Sequence, residues 1–397
     1  MEILHRRGKT VFHFRKEKYQ QSRQTVFRFD NGRRCFPQSK RDSELKKEPK
    51  NILIIKWGAL GDMVISTGAI RSVKETFPNA RAVLLSNSLM QQIAPSGSII
   101  DELIIYDEKE YHGVKAIAHL FRLVLHLRRY KFDLAINLRW HSDRCAMIAY
   151  LSGAKERVSS GPHNMMGLYT TKVPFPQGRY HEVHRNLDIV KAVGVKVNDE
   201  TPYTYISIDD VKFARDFFTL NNLEKNKTIC IHPGASKPIR AWLPERFREI
   251  AKKLVEQYDV NVIVTWSGKE KELAEYVASA NPLKIFLAPQ TKTIGELASL
   301  IKNSNMCLTN CTGPMNVAVA VRTPTCAILG SSDPTDWGPY GEIHRTIKSP
   351  LVLESYTDEQ EAEAMNAVSV EQVWNVVSRR WEEIRAHPNP SLREGLF

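Results

Sequence analysis

No apolar run in this chain approaches the roughly 20 residues needed to cross a bilayer, and its N-terminus carries no apolar core of the signal-peptide kind. A protein made and kept in the cytoplasm is therefore expected. Cysteine is scarce and scattered: Cys35, Cys145, Cys230, Cys307, Cys311 and Cys326 include no Cys-x-x-Cys pair. Cys307 and Cys311 can share a helical face, yet nothing nearby completes a metal set, so reduced thiols are expected. No Asp-x-Asp pair sits in a loop suited to holding a metal, and none is called for. Excess charge is missing from most of the chain. Of a net +12, the first fifty residues supply +9 (15 Lys and Arg against 6 Asp and Glu), which leaves +3 on the other 347. A near-neutral body without a nucleic-acid motif gives no reason to expect a nucleic-acid partner. The basic leader suits a solvated extension or contact with an anionic membrane surface.

What remains is an ordinary globular composition, 42% hydrophobic and 25% charged, in a 397-residue chain long enough for two or three domains. Residues 1–50 hold an echo, Thr10-Val-Phe-His-Phe and Thr25-Val-Phe-Arg-Phe, and Asp30-Asn31-Gly32 offers a hairpin turn between Val26–Asp30 and Arg33–Pro37. Residues 38–50 read as a polar linker. From 51 to 205, strand-like runs at Ile52–Ile55, Ala82–Leu85, Glu102–Tyr106 and Leu134–Leu138 alternate with helical patterns, a basic amphipathic helix over His119–Tyr130 among them, with a loop expected over 158–182. After a join near 205 the alternation restarts, with strands at Thr228–His232, Asn261–Trp266, Lys284–Ala288, Met306–Asn310 and Thr325–Leu329. Such alternation predicts parallel sheets covered by helices on both faces. The expected organisation is a basic extension (1–50), two doubly wound α/β domains (51–205 and 206–368), and a final helix and tail (369–397).

The chain centres on NILIIKWGALGDMVISTGAIRSVKETF, residues 51–77. An apolar strand runs into Lys56, a turn containing Gly58 and Gly61, and a helix opening at Asp62. Such a turn points backbone N–H groups at whatever lies above the sheet edge. Asp62 suits a helix cap and equally a base at the mouth of a crevice. In the second domain His232-Pro-Gly-Ala-Ser236-Lys follows a strand and Arg240 precedes a helix, a pattern suited to a diphosphate. Trp266-Ser-Gly-Lys-Glu270-Lys-Glu272 places carboxylates after a strand, where they can accept ribose hydroxyls. Cys311-Thr312-Gly313-Pro314-Met-Asn316 marks a helix start with Pro near its first position, another phosphate-binding end.

In this order the motifs resemble those of glycosyltransferase family 9, the bacterial heptosyltransferases that extend the lipopolysaccharide core. The resemblance covers roughly residues 51–385. It implies the GT-B fold, two Rossmann-like domains facing a central cleft, with a C-terminal helix that returns toward the first domain. It implies an inverting sugar transfer from a nucleoside diphosphate sugar, usually ADP-heptose, to a glycolipid or oligosaccharide acceptor at the cytoplasmic membrane face, with no further cofactor. By the same resemblance Asp62 is the general base. Ser236, Arg240, Glu272 (or Glu270), Lys292, Cys311, Thr312, Gly313 and Asn316 form the donor site, and Lys56 and Arg185 meet the acceptor. Two positions depart from the family pattern: Cys311 stands where Asp is usual and Asn316 where His is usual. A thiol is a poor substitute for a carboxylate as acceptor of sugar hydroxyls. The competing expectations are a different donor sugar, or a non-catalytic nucleotide-sugar-binding or scaffold relative.

Overall fold

The computed structural model describes residues 47–107, 113–161, 164–353 and 356–387, together with four two-residue strands nearer the N-terminus. The chain divides into two compact units, Met1–Asp42 and Ser43–Phe397. In the first, β1 (His5–Arg6) pairs antiparallel with β2 (Lys9–Thr10), and β3 (Phe29–Asp30) with β4 (Arg33–Arg34). Asp30 lies opposite Arg33, while the expected turn residues Asn31 and Gly32 lie outside the described residues. The outer parts of that hairpin, and the echo beyond Thr10, lie outside the described residues.

The second unit begins with β5 (Asn51–Ile55), α1 (Leu60–Thr76), β6 (Arg81–Ser86), α2 (Met90–Ile93), β7 (Glu102–Ile105) and α3 (Gly113–Arg128). It continues through β8 (Leu134–Asn137), α4 (Asp143–Leu151), β9 (Glu156–Ser160), β10 (Thr171–Val173) and α5 (Glu182–Lys191). These six strands form one parallel sheet in the order β10-β9-β8-β5-β6-β7. Residues Ile52 to Ile55 are all fully buried, as expected for a central parallel strand covered on both faces. Ile52 and Ile54 pack with α1 and α5, whereas Leu53 and Ile55 pack with Leu127 of α3 and Ala146 of α4. That division follows from the two-residue period of a strand.

The linking helix α6 (Ile208–Leu220) leads to β11 (Thr228–His232), α7 (Pro244–Tyr258), β12 (Asn261–Val264), α8 (Lys271–Ala278), β13 (Ile285–Leu287) and α9 (Ile294–Lys302). Then come β14 (Met306–Asn310), α10 (Gly313–Ala320), β15 (Thr325–Leu329), α11 (Pro334–Trp337), β16 (Arg345–Lys348), α12 (Asp358–Asn366) and α13 (Val370–Ala386). The second sheet is also parallel, in the order β13-β12-β11-β14-β15-β16. Both sheets thus run third-second-first-fourth-fifth-sixth, and in both the order reverses between the first and fourth strands, where such folds bind ligands.

Three expectations change. The anticipated loop over 158–182 holds the end of β9, all of β10 and the start of α5. Its strand sequences are short and polar, so they carry no apolar run. The C-terminal helix does not return to the first half. Val373, Val377, Trp381 and Ile384 of α13 are buried in the second sheet's core with Phe247 and Leu254 of α7, and Glu383 pairs with Arg345 at 2.9 Å. Its apolar stripe finds its cover there. Finally, α3 begins at Gly113, six residues before the apolar pattern at His119 becomes regular.

Candidate active site

At the end of β5 the chain turns sharply into α1. A Cβ at Gly58 would stand 2.5 Å from the Cβ of Asp62, so only glycine fits there. Asp62 Oδ2 accepts a hydrogen bond from the Ala59 N–H at 3.3 Å. The carboxylate therefore caps α1, and it also lines a cavity between the two halves. Capping does not take the group out of the cleft: one oxygen holds the helix start while the carboxylate lines the cavity.

Beneath this turn the first half is filled by buried charge. Lys56 Nζ lies 3.3 Å from the Leu138 carbonyl, 3.5 Å from Asn186 Oδ1 and 3.9 Å from Glu182. Burial lowers the Lys56 pKa, with Glu182 and then Asp62 opposing the shift. Burial likewise raises the Glu182 pKa, against the pull of Lys56 and a hydrogen bond from Trp140 Nε1 at 3.1 Å. Arg185 stacks against Phe175, its guanidinium 4.6 Å from the ring centre, and its Nε donates to the Tyr180 carbonyl at 3.1 Å. Lys56 and Arg185, expected on the acceptor, thus sit in the packing under the site. Neither lines the cavities described next.

In the second half, the loop after β11 is drawn to the end of β14 by Asn310. Its amide donates to the carbonyls of Pro233 and Gly234 at 2.8 and 3.1 Å, and its Oδ1 accepts from Trp242 N–H at 3.0 Å. This fully buried residue was not singled out in the sequence. Its position two residues before Thr312, at the end of an apolar strand, was the available signal. Arg240 is gripped by Glu361 of α12, with Nε donating to Oε2 at 2.8 Å and the second guanidinium nitrogen to Oε1. That pairing raises the Arg240 pKa and lowers that of Glu361.

Two cavities occupy the cleft. One, of about 340 Å³, is lined by His232, Ser236, Glu270, Lys292, Leu297 and Thr312 among others. Glu270 is the carboxylate brought to it, held by Ser267 N–H at 3.0 Å and lying 3.7 Å from His232 Nε2. Burial lowers the His232 pKa, and the Glu270 carboxylate opposes this. Glu272 lies on the exposed side of α8 and lines neither cavity, which corrects the sequence choice in favour of Glu270. The reason is local. Ser267–Glu270 forms a one-turn cap that points Glu270 inward, and α8 starts after it.

The second cavity, of about 440 Å³, is lined by Asp62, Arg179, Ser236, Arg240, Cys311, Thr312, Gly313, Asn316, Asp333, Trp337, Tyr356 and Glu361, with others. Cys311 Sγ lies 3.6 Å from the Trp337 carbonyl, and burial raises its thiol pKa, so it presents a neutral SH. The cavities share Ala59, Gly61, Ser236, Thr312 and Gly313. At this shared point the two halves touch. A Cβ at Gly61 would stand 2.8 Å from Asn316 Nδ2, and one at Gly313 would stand 2.6 Å from Leu60 Cδ2. Two helix N-termini, α1 from the first half and α10 from the second, therefore converge on the point the cavities share. At the rim, Arg179 pairs with Asp336 at 2.9 Å and Asp333 at 3.4 Å, and Tyr180 N–H donates to Asp336 at 2.7 Å.

Paired Rossmann-like sheets with bipartite cavities between them are the architecture of GT-B glycosyltransferases, and the comparisons with known proteins agree. The family profile of glycosyltransferase family 9 (heptosyltransferase) matches residues 120–365. The chain belongs to glycosyltransferase family 9 and is a glycosyltransferase. It is 24% identical over 306 residues to the lipopolysaccharide core heptosyltransferase OpsX of Haemophilus influenzae, covering 75% of this chain and 84% of that one. It is 25% identical over 293 residues to a lipopolysaccharide heptosyltransferase 3 of Escherichia coli, covering 70% and 83%. In structure it is similar to a family 9 glycosyltransferase from Veillonella parvula, with a TM-score of 0.71 at 20% identity over 84% of this chain and 97% of that one. The E. coli ADP-heptose heptosyltransferase II superposes with a TM-score of 0.65 at 18% identity, over 84% and 99%. These likenesses show the GT-B fold.

Proposed function

We propose that the chain transfers a sugar, heptose from ADP-heptose in the simplest case, to a lipopolysaccharide-core or related glycan at the cytoplasmic membrane face, with inversion at the anomeric carbon. One observation carries this reading: the two cavities meet at Ser236, Thr312 and Gly313, with Asp62 on the wall of the larger one. The smaller cavity takes the nucleoside, its ribose hydroxyls donating to Glu270, with Lys292 near the opening. The diphosphate lies at the shared point, against Ser236, Arg240 and the start of α10. The sugar extends into the larger cavity past Cys311 and Asn316, and the acceptor enters beside Asp62.

The reaction is a single displacement. Asp62 takes the proton of the acceptor hydroxyl as its oxygen bonds to the anomeric carbon. The carbon–oxygen bond to phosphate breaks, and its electron pair leaves with the nucleoside diphosphate. Ser236, Arg240 and the α10 N–H groups face that growing charge. Lys56 and Arg185 act from beneath, fixing the turn that carries Asp62. A neutral thiol at 311 and an amide at 316 make fewer and weaker demands on sugar hydroxyls than the usual acid and imidazole.

Calorimetry against a panel of nucleoside diphosphate sugars tests the donor. Micromolar binding of ADP-heptose, tighter than ADP alone, supports the reading. Preference for another sugar nucleotide keeps the mechanism and removes heptose, and binding of none removes the donor site.

A further inference from the structure

Helix α3 has a face that neither the core nor the cleft uses. Leu123 and Leu127 bury into the first sheet's core, while Ile117, Phe121 and Leu125 are 70%, 62% and 48% exposed. These three recur every fourth residue, so they form one stripe about 12 Å long on the helix surface. A lone exposed apolar side chain needs no explanation, but a row of three bulky ones on one helix does. Arg122, Arg128 and Arg129 are exposed beside or just beyond the stripe. Between residues 111 and 132 the sequence has five Lys and Arg (115, 122, 128, 129 and 131) and no Asp or Glu.

The charge selects the occupant. A second copy packed on this face would bring two rows of cations together with no acid on either helix, which is repulsive. An anionic lipid surface supplies the missing charge and takes up the apolar stripe. Position agrees. The His119 ring of α3 stacks on Tyr106 with centroids 5.1 Å apart, and the Tyr106 carbonyl accepts from Trp57 Nε1 at 2.9 Å. Trp57 is five residues before Asp62. The adjacent strand β7 ends in Ile105, itself 44% exposed.

We propose that this face of α3 lies on an anionic membrane, with Ile117, Phe121 and Leu125 at the boundary of headgroups and acyl chains and the arginines among the phosphates. The contact involves a surface distinct from the basic leader, and it holds the turn carrying Asp62 close to the lipid. Its purpose rests on the reading of a lipid-linked acceptor, while its observations do not.

The test uses the full chain in vesicle flotation, with phosphatidylcholine vesicles containing or lacking phosphatidylglycerol. Wild type should float with the anionic vesicles and far less with the neutral ones. The triple variant Ile117→Ser, Phe121→Ser, Leu125→Ser should lose about tenfold or more of that partition. The charge variant Arg122→Glu, Arg129→Glu, which leaves the apolar stripe intact, should lose a comparable share on anionic vesicles alone. Both should bind nucleotide sugar as wild type does. Flotation unchanged in both variants overturns the proposal and assigns any membrane contact to other residues. A dimer in sedimentation velocity that the serine variant dissolves also overturns it, in favour of a second copy. Vesicle binding lost in the variants of a chain that binds no nucleotide sugar keeps this surface and removes the donor reading.

Discussion

The two halves share one strand order and treat the same place in it differently. Where the order reverses in the first half, the gap between β5 and β8 is closed by charge: Lys56 bridges to the Leu138 carbonyl and pairs with Glu182. Where it reverses in the second, the gap between β11 and β14 is closed by the neutral amide of Asn310. A buried ion pair fixes geometry at the expense of desolvation. A neutral amide satisfies three backbone groups and pins the start of the loop, while Ser236 beyond it lines both cavities. The first half thus presents a prepared carboxylate, and the second a prepared set of donors. In the proposed reading, chemistry falls to one of these equivalent positions and donor binding to the other.

That division can be broken from either side. Asp62→Asn acts on the prepared carboxylate and should lower turnover about a thousandfold, within the range for a general base, while donor affinity by calorimetry stays within about threefold. Comparable turnover in the variant would end the assignment. Next in size is the charge beneath it. Glu182→Leu leaves Lys56 buried without its carboxylate and should cost about 3–5 kcal/mol in urea unfolding. Adding Lys56→Met should restore most of that stability, since an apolar pair replaces the ionic one; failure to restore it would show that the charges do more than compensate each other.

On the second half, Arg240→Ala removes a charge-assisted contact and should weaken donor binding by about 10- to 100-fold, or about 1.5–3 kcal/mol. Because Arg240 is also proposed to face the charge growing on the leaving diphosphate, kcat at saturating donor should fall as well, and kcat/KM by more. The smallest effect concerns acid. Burial and the nearby Arg380 and Arg345 push the His344 pKa down to about 3 from its usual 6.5. The unfolded chain therefore binds the extra proton between pH 6.5 and 3, so this residue's contribution to stability falls as pH drops through that window. At pH 5 the loss is about 2 kcal/mol. His344→Phe should flatten that acid limb in pH-dependent unfolding, and an unchanged slope would place the sensitivity elsewhere.

Much of this was legible in the sequence for a simple reason. Central parallel strands are buried on both faces, so Ile52–Ile55, Thr228–His232 and Thr325–Leu329 read as unbroken apolar or small runs. Strands β9, β10 and β16 carry Glu156-Arg157, Lys172 and Arg345 in short segments, with no such run to find. Gly58, Gly313 and Pro314 announced the turns because their backbone requirements are local. Glu270 against Glu272 was not decidable from spacing, because a one-turn cap precedes α8 and shifts which carboxylate faces inward. The burial of Lys56, the packing of Arg185 on Phe175, and the grip of Glu361 on Arg240 across 121 residues depend on tertiary packing that no local pattern encodes.

The contact of Gly61 with Asn316 and of Gly313 with Leu60 has a mechanical consequence. With no spare space at those points, the halves cannot slide past one another there, and any opening must turn about them as a lever turns about its fulcrum. The rim where Arg179 meets Asp333 and Asp336 must part in such a turn. That rim is held by the Arg179 ion pairs, which salt screens, and by the Tyr180 N–H bond to Asp336. Raising the ionic strength is accordingly expected to ease any opening at that rim.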